Sequence, residues 1–254
     1  MSEYKLYCGD CLAILPTLEA GSVDAVITDS PYSEKTHAGA RSVYDYGPKG
    51  GVIAIDFPSV DASYIRQVLS VCCPRKWCIS FVDWHHALPL EENPPTGLEF
   101  IRLGIWVKRN PIPQLTGDRP STGWEAIAIF HVPGRKEWNG GSGPAVWDNG
   151  TSRWGYFGPS NHPTEKPLGL MSKLILQFTD KGDTVIDPFM GSGSTGVACM
   201  QLGRNFVGVE ILPKYFKIAE RRIEQAARQQ PLFAETGADG AETTRAEQSE
   251  MELR

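Results

Sequence analysis

Residues 184–196 read TVIDPFMGSGSTG. Thr184, Val185 and Ile186 have the apolar, β-branched character of a short buried strand. Gly191, Gly193 and Gly196 fit G-x-G-x-x-G, and Thr195 to Leu202 continues with the composition of a helix. A glycine-rich turn between strand and helix lets the backbone approach a ligand closely and aims helix N–H groups at it. Asn205 to Val209 is again a strand and runs into Glu210, where a carboxylate can accept from two ribose hydroxyls. Strand, glycine turn, helix, strand and terminal acid in that order mark a nucleoside-cofactor site. A nicotinamide dinucleotide is one candidate. Against it, Asp187 precedes the first glycine, and a carboxylate there repels a pyrophosphate but suits a cationic ammonium group. A Walker phosphate loop is excluded, because no Gly-Lys-Ser/Thr follows.

Outward from this unit, strands alternate with helices. Tyr4–Cys8, Val23–Thr28, Trp77–Val82, Leu103–Val107 and Ala126–His131 read as strands. Cys11–Leu18, with Asp10 as N-cap, Ser63–Cys72, Leu168–Thr179 and Lys214–Gln229 read as helices. The alternation predicts an α/β fold, Rossmann-like, with a mostly parallel twisted sheet and helices on both faces. One domain is expected over residues 1–233, followed by an acidic, disordered tail over 234–254. Ser33 to Ser59 is rich in Gly, Tyr and charge and reads as a long functional loop.

The second informative stretch is VDAVITDSPY, residues 23–32. An apolar strand here runs straight into a carboxylate (Asp29), a small residue (Ser30), a fixed bend (Pro31) and a flat ring (Tyr32). A strand that only had to stop needs none of these.

Bulk properties set limits on partners. The chain has 254 residues and a net charge of −5. Residues 234–254 carry −4 of that charge, and Arg102 to Arg153 carries a local +3. A near-neutral body with one basic region is compatible with DNA, because the local field at the phosphates matters more than the total. MSEYKLYCGD lacks the basic-then-apolar layout of a secretory signal, so a cytoplasmic location is expected, with no membrane association. The six cysteines show no paired zinc-ribbon spacing and are expected to be reduced and mostly buried. His85-His86 shares no spacing with a third metal ligand, so a surface or capping role is expected and no metal.

The two motifs together, D-P-F-x-G-S-G-S-T-G after a strand and D-S-P-Y far upstream, resemble the S-adenosylmethionine-dependent DNA amino-methyltransferases. The order resembles the permuted β class, in which the catalytic motif precedes the cofactor motif. Asn161-His162-Pro163-Thr164-Glu165-Lys166-Pro167 is similar to the family's H-P-[TA]-x-K-P segment. The resemblance covers most of residues 4–233. It implies that Asp187, Phe189, Gly191, Gly193, Ser194 and Thr195 surround the methionine part of the cofactor. Glu210 then holds the ribose, and Asp10 reaches the adenine ring. His162, Thr164 and Lys166 close the site from the other side.

On this reading the opening of the catalytic loop has a purpose. The lone pair of an exocyclic amine is spread into the base, and acceptors at its two hydrogens draw it out of plane. Asp29 supplies one acceptor and the backbone C=O of Ser30 the other, with Pro31 fixing its direction. Tyr32 offers a face for the base, a stacking interaction worth about 1–3 kcal/mol. The base must first be flipped out of the duplex. The family's usual pattern has Pro at the position of Ser30. Members that begin with Asp mostly act on adenine N6 and those with Ser on cytosine N4, so Asp29 points to adenine. Cytosine N4 is the chemical alternative; a nicotinamide-dependent oxidoreductase or a DNA-binding module with a degenerate site are the more distant ones.

Lys35, His37 and Arg41, following the catalytic motif, are candidates for phosphate contact, as is Lys108 in Val107-Lys108-Arg109-Asn110-Pro111, which resembles the family's W-x-K-x-N-P segment. Trp124-Glu125-Ala126 opens the next strand as the family's acid-containing segment does. A target-reading segment is expected over 133–160, with Arg135, Lys136, Trp138, Asn139, Trp147, Asn149, Arg153 and Trp154. Gln229-Gln230-Pro231-Leu232-Phe233 resembles peptides that dock on the bacterial sliding clamp, with Gln229, Leu232 and Phe233 as anchors. A homodimer is a further expectation; whether the chain acts alone or beside a separate restriction enzyme is not written in the sequence.

Overall fold

The computed structural model describes residues 2–36, 44–45, 51–52, 59–111, 117–151 and 165–229. His37, Arg41, Arg153, Trp154, His162, Thr164, Leu232 and Phe233 lie outside the described residues.

Ten strands are formed by the described residues: β1 (Tyr4–Cys8), β2 (Ala25–Asp29), β3 (Tyr44–Asp45), β4 (Gly51–Val52), β5 (Trp77–Val82), β6 (Glu99–Lys108), β7 (Trp124–His131), β8 (Val146–Asn149), β9 (Thr184–Asp187) and β10 (Asn205–Glu210). The helices are α1 (Cys11–Ile14), α2 (Ala62–Cys72), α3 (Trp84–Glu92), α4 (Leu168–Phe178), α5 (Ser194–Leu202) and α6 (Pro213–Arg228). β3 and β4 pair only with each other. The other eight strands form one sheet in the order β1-β10-β9-β2-β5-β7-β6-β8. Only β7 is antiparallel to its neighbours; the other seven strands run the same way. This is a Rossmann-like α/β methyltransferase-type sheet with one reversed strand.

The core lies on both faces. Ile27, Ile79, Phe81 and Val185 pack on one side against Leu170, Met171, Leu174, Ile175 and Phe178 of α4 and against α5 and α6. Val26, Cys78, Ala128, Phe130, Ile186 and Val209 pack on the other side against α1, α2 and α3. The buried α4 residues fall at i, i+1, i+4, i+5 and i+8, the stripe of an amphipathic helix.

Two elements escape a reading of periodicity. Trp84–Glu92 is helical despite Pro89, held at its start by an Asp83 N-cap. Val146–Asn149 adds an edge strand parallel to β6 within a Gly- and Trp-rich stretch. The helix expected over Cys11–Leu18 stops at Ile14 and continues as a 3-10 turn, Leu15–Thr17, around Pro16. Among the described residues no helix is long and apolar enough to cross a membrane. All six cysteines are unpaired; Cys8 and Cys73 are exposed and the other four buried.

Candidate active site

Four neighbouring strands, β1, β10, β9 and β2, each deliver one acid to the same end of the sheet. Asp10 follows β1, Glu210 ends β10, Asp187 ends β9 and Asp29 ends β2. All four line a single cleft, together with Phe189, Gly191, Ser194, Thr195, Tyr32 and Lys166. Ligands of open α/β sheets bind at this carboxyl end of the strands.

Asp10 is exposed, and one oxygen caps α1 by accepting the Leu12 N–H at 2.9 Å. Glu210 is buried; its two oxygens accept the N–H groups of Gly191 (3.0 Å) and Leu212 (2.8 Å). It thus ties the glycine turn to the entry of α6. Burial raises its carboxyl, and these backbone donors oppose the rise. Asp187 accepts from the Thr28 hydroxyl (2.6 Å), the Thr195 hydroxyl (2.6 Å) and the Phe189 N–H (3.1 Å). Burial nevertheless pushes its pKa up to about 6.

The glycine turn itself is shaped by packing. Gly193 has φ +83°, and a Cβ there would stand 2.9 Å from that of Ala219. A Cβ on Gly196 would lie 2.5 Å from Ile223 and 2.6 Å from Phe206. Gly193 and Gly196 therefore let α5 seat against α6 and β10, and Gly193, expected at the cofactor, does not line the cleft. Ser194 donates to Glu165 at 3.2 Å, and Arg222 of α6 reaches both Glu165 and the Ser192 carbonyl.

Asp29 stands apart from the other acids. Its Oδ2 receives Lys166 Nζ at 2.5 Å, while its Oδ1 is buried and has no hydrogen-bond partner. Lys166 bridges on to Glu125 at 3.3 Å, and Glu125 meets Lys108 at 2.6 Å. The result is a row of alternating charge: Asp29, Lys166, Glu125, Lys108. Burial raises Asp29, with the Lys166 ammonium opposing. Burial alone would lower Lys166, but Asp29 and Glu125 hold it well above the usual lysine value. Burial would raise Glu125; Lys166 and Lys108 bring it below its ordinary value. Ser30 replaces the family's proline with a different anchor, a 2.6 Å hydrogen bond to the Ser80 hydroxyl on β5.

Several expected residues are not brought to the site as expected. Lys166, assigned to the cofactor side, lines the cleft with its ammonium on Asp29. Lys108, assigned to DNA phosphates, turns inward to Glu125 and over the Trp106 ring. Arg135 and Lys136 follow β7, whose last residue His131 pairs with the first of β5, Trp77. The reversed strand thus carries them to the end of the sheet opposite Asp29, where Lys136 meets Glu99. Trp138 and Trp147 pack against Phe178, with their indole N–H groups bonded to Gly141 and Gln177. Asn139 bonds Asp180, and Asn149 accepts from Lys173. His86 is buried rather than at the surface, its Nε2 3.0 Å from the Val60 carbonyl. Lys35 is exposed beside the catalytic motif. Sequence reasoning missed Tyr64, Met171 and Tyr215, which also line the cleft and belong to no motif. Among the described residues no three His, Cys, Asp or Glu side chains cluster as metal ligands.

A family model for DNA methylases of the N6/N4 type matches residues 23–221. The chain belongs to this family. It is 34% identical over 243 residues to the Type II methyltransferase M2.DpnII of Streptococcus pneumoniae, covering 85% of this chain and 87% of that one. Among solved structures, the M1.HpyAVI–SAM complex aligns with a TM-score of 0.63 at 26% identity, over 87% of this chain and 98% of that one. The PvuII cytosine-N4-specific DNA methyltransferase shares the fold, with a TM-score of 0.66 at 15% identity over 87% and 86% of the two chains. The protein is an S-adenosylmethionine-dependent DNA amino-methyltransferase, and DNA is its macromolecular substrate.

The cleft fits that cofactor. It joins an exposed carboxylate at Asp10 to a buried, donor-ringed one at Asp187, and it ends at an unsatisfied acceptor on Asp29.

Proposed function

We propose that this enzyme methylates adenine at N6 and that the four acids divide the work along the cleft. Asp10 would bond the adenine ring of the cofactor, Glu210 its ribose and Asp187 its ammonium group, while Phe189, Gly191, Ser194 and Thr195 flank the methionine part. The bound cofactor supplies an electrophilic methyl on a positively charged sulfur.

The chain's own residues prepare the nucleophile. Asp29 Oδ1 accepts one amine hydrogen, and the Ser30 carbonyl accepts the other, so the lone pair leaves the plane of the base. Lys166 fixes the Asp29 rotamer and favours its ionised form, which only accepts. The Tyr32 ring stacks on the base, which enters after flipping from the duplex. The observation that carries this reading is the Asp29 Oδ1 itself: a buried acceptor with no partner in a protein is costly and calls for an incoming donor.

DNA is expected to approach at the carboxyl end of the strands, where Lys35 and Arg109 are exposed, and not at Arg135 and Lys136. The assay is to incubate the purified protein with S-adenosylmethionine and mixed genomic DNA, digest to nucleosides and run mass spectrometry. N6-methyladenine is expected. N4-methylcytosine would overturn the base assignment and keep the chemistry.

Two partner readings rest on separate features. Gln229 leaves α6 in an extended conformation, as a clamp-docking peptide requires; the test is capture by purified sliding clamp, lost in Leu232→Ala/Phe233→Ala. Exposed Leu103, Ile105, Val107 and Val146 on β6 and β8 offer a homodimer an apolar face, tested by sedimentation of Ile105→Lys.

A further inference from the structure

Asp83 and His86 belong to neither motif, yet both are buried beside the catalytic loop. They sit on the turn from β5 into α3. Asp83 Oδ1 caps the helix, accepting the N–H groups of His85 (2.9 Å) and His86 (3.1 Å). Its other oxygen, Oδ2, accepts the Ser33 N–H at 2.7 Å, from 50 residues earlier in the chain. His86 Nε2 lies 3.0 Å from the Val60 carbonyl, which can only accept, so Nε2 carries the hydrogen. Val60 in turn donates its N–H to the Tyr32 carbonyl at 3.1 Å.

Tyr32 C=O and Ser33 N–H are the two polar groups of one peptide unit. Asp83 grips that unit on one edge, and Val60, itself held by His86, grips it on the other. Both Tyr32 and Val60 line the cleft.

We propose that Asp83 and His86 are positioning residues that fix the peptide after Tyr32 and so hold its ring in place for the incoming base. The inference rests on the reading of Tyr32 as the stacking face. A ring helps only if its plane is set before the base arrives; otherwise its ordering is a cost of binding. Two hydrogen bonds on one peptide plane set the direction in which the Tyr32 side chain leaves the backbone.

Double-mutant cycles test this. Asparagine at position 83 keeps the shape but has one acceptor oxygen, so Asp83→Asn cannot both cap α3 and hold Ser33. His86→Ala removes the donor to Val60, and His86→Gln restores one. The readouts are single-turnover methyl transfer to DNA at saturating cofactor, cofactor affinity and melting temperature. Asp83→Asn and His86→Ala should each slow transfer roughly ten- to a hundredfold while cofactor affinity stays unchanged, and His86→Gln should recover most of the rate. In a Tyr32→Ala background neither change should slow transfer further. Losses that add to that of Tyr32→Ala, or a parallel fall in cofactor affinity, would overturn the proposal, since a general loosening of the fold behaves that way. A Tyr32→Ala enzyme as fast as the parent would overturn the stacking role itself, and the clamp with it.

Discussion

The loops after β9 and β2 leave adjacent strands at one end of the sheet, and their carboxylates are treated in opposite ways. Asp187 is ringed by donors from its own fold: two threonine hydroxyls and a backbone N–H. Those bonds shape the glycine turn, and Gly193 and Gly196 lock it against α6. Asp29 has one lysine and one bare oxygen. The first loop is complete as it stands; the second is held in place by Lys166 and keeps one carboxylate oxygen unsatisfied. A binding wall can be finished in advance, whereas a group that must polarise a substrate has to keep an acceptor for it.

The contrast breaks most visibly at Asp29. Asp29→Ala should lower turnover on the order of 10²–10³-fold, the scale of losing one fixed polar contact at a reacting group. Rapid-quench transfer of labelled methyl to DNA measures it.

Next in size is Lys166→Met. It leaves the half-buried Asp29 and Glu125 with no cation between them, although Glu125 keeps Lys108, a change that costs up to about 3 kcal/mol of stability. Without Lys166, burial and the Glu125 charge raise Asp29 further, so the remaining activity should move to higher pH. Chemical denaturation and a pH–rate profile report the two effects.

Asp187 predicts a pH dependence in binding. Its pKa is raised from 3.8 to about 6, so between those values the folded protein binds the proton that the unfolded chain has lost. Ionising it costs the ligand-free fold about 3 kcal/mol, absent at low pH, growing as pH rises through this window and fully present above it. An ammonium partner needs the ionised form. Cofactor affinity should therefore hold above pH 6 and weaken by up to about tenfold per unit below it, and calorimetry on Asp187→Asn should show that slope flattened.

The smallest effect is expected at Ser30→Ala, which removes the bond to Ser80 from a loop with other anchors. A loss of about 1 kcal/mol in stability is expected, with less than a tenfold change in turnover.

The same contrast governs what the sequence makes legible. The glycine turn is local: strand, glycines, helix and Glu210 lie within 27 residues, and each constraint leaves a residue type behind. The central strands β2, β5, β7 and β9 are legible for the same reason, as short apolar runs. The loop after β2 is assembled from afar. Lys166 reaches Asp29 across 137 positions and Asp83 reaches Ser33 across 50, and no spacing rule connects them. The place of Arg135 and Lys136 depends on one strand, β7, running backwards, which alternation of strands and helices does not reveal. Pro89 hides α3 from a helix reading because its cost is offset by tertiary packing of His86 and Leu90.

The most direct measurement titrates S-adenosylmethionine by calorimetry into Asp29→Ala and Asp187→Ala side by side. If the finished loop binds and the unfinished loop reacts, Asp29→Ala keeps the parent affinity and Asp187→Ala loses it. Equal losses in both, or tight binding by Asp187→Ala, would contradict that division of labour.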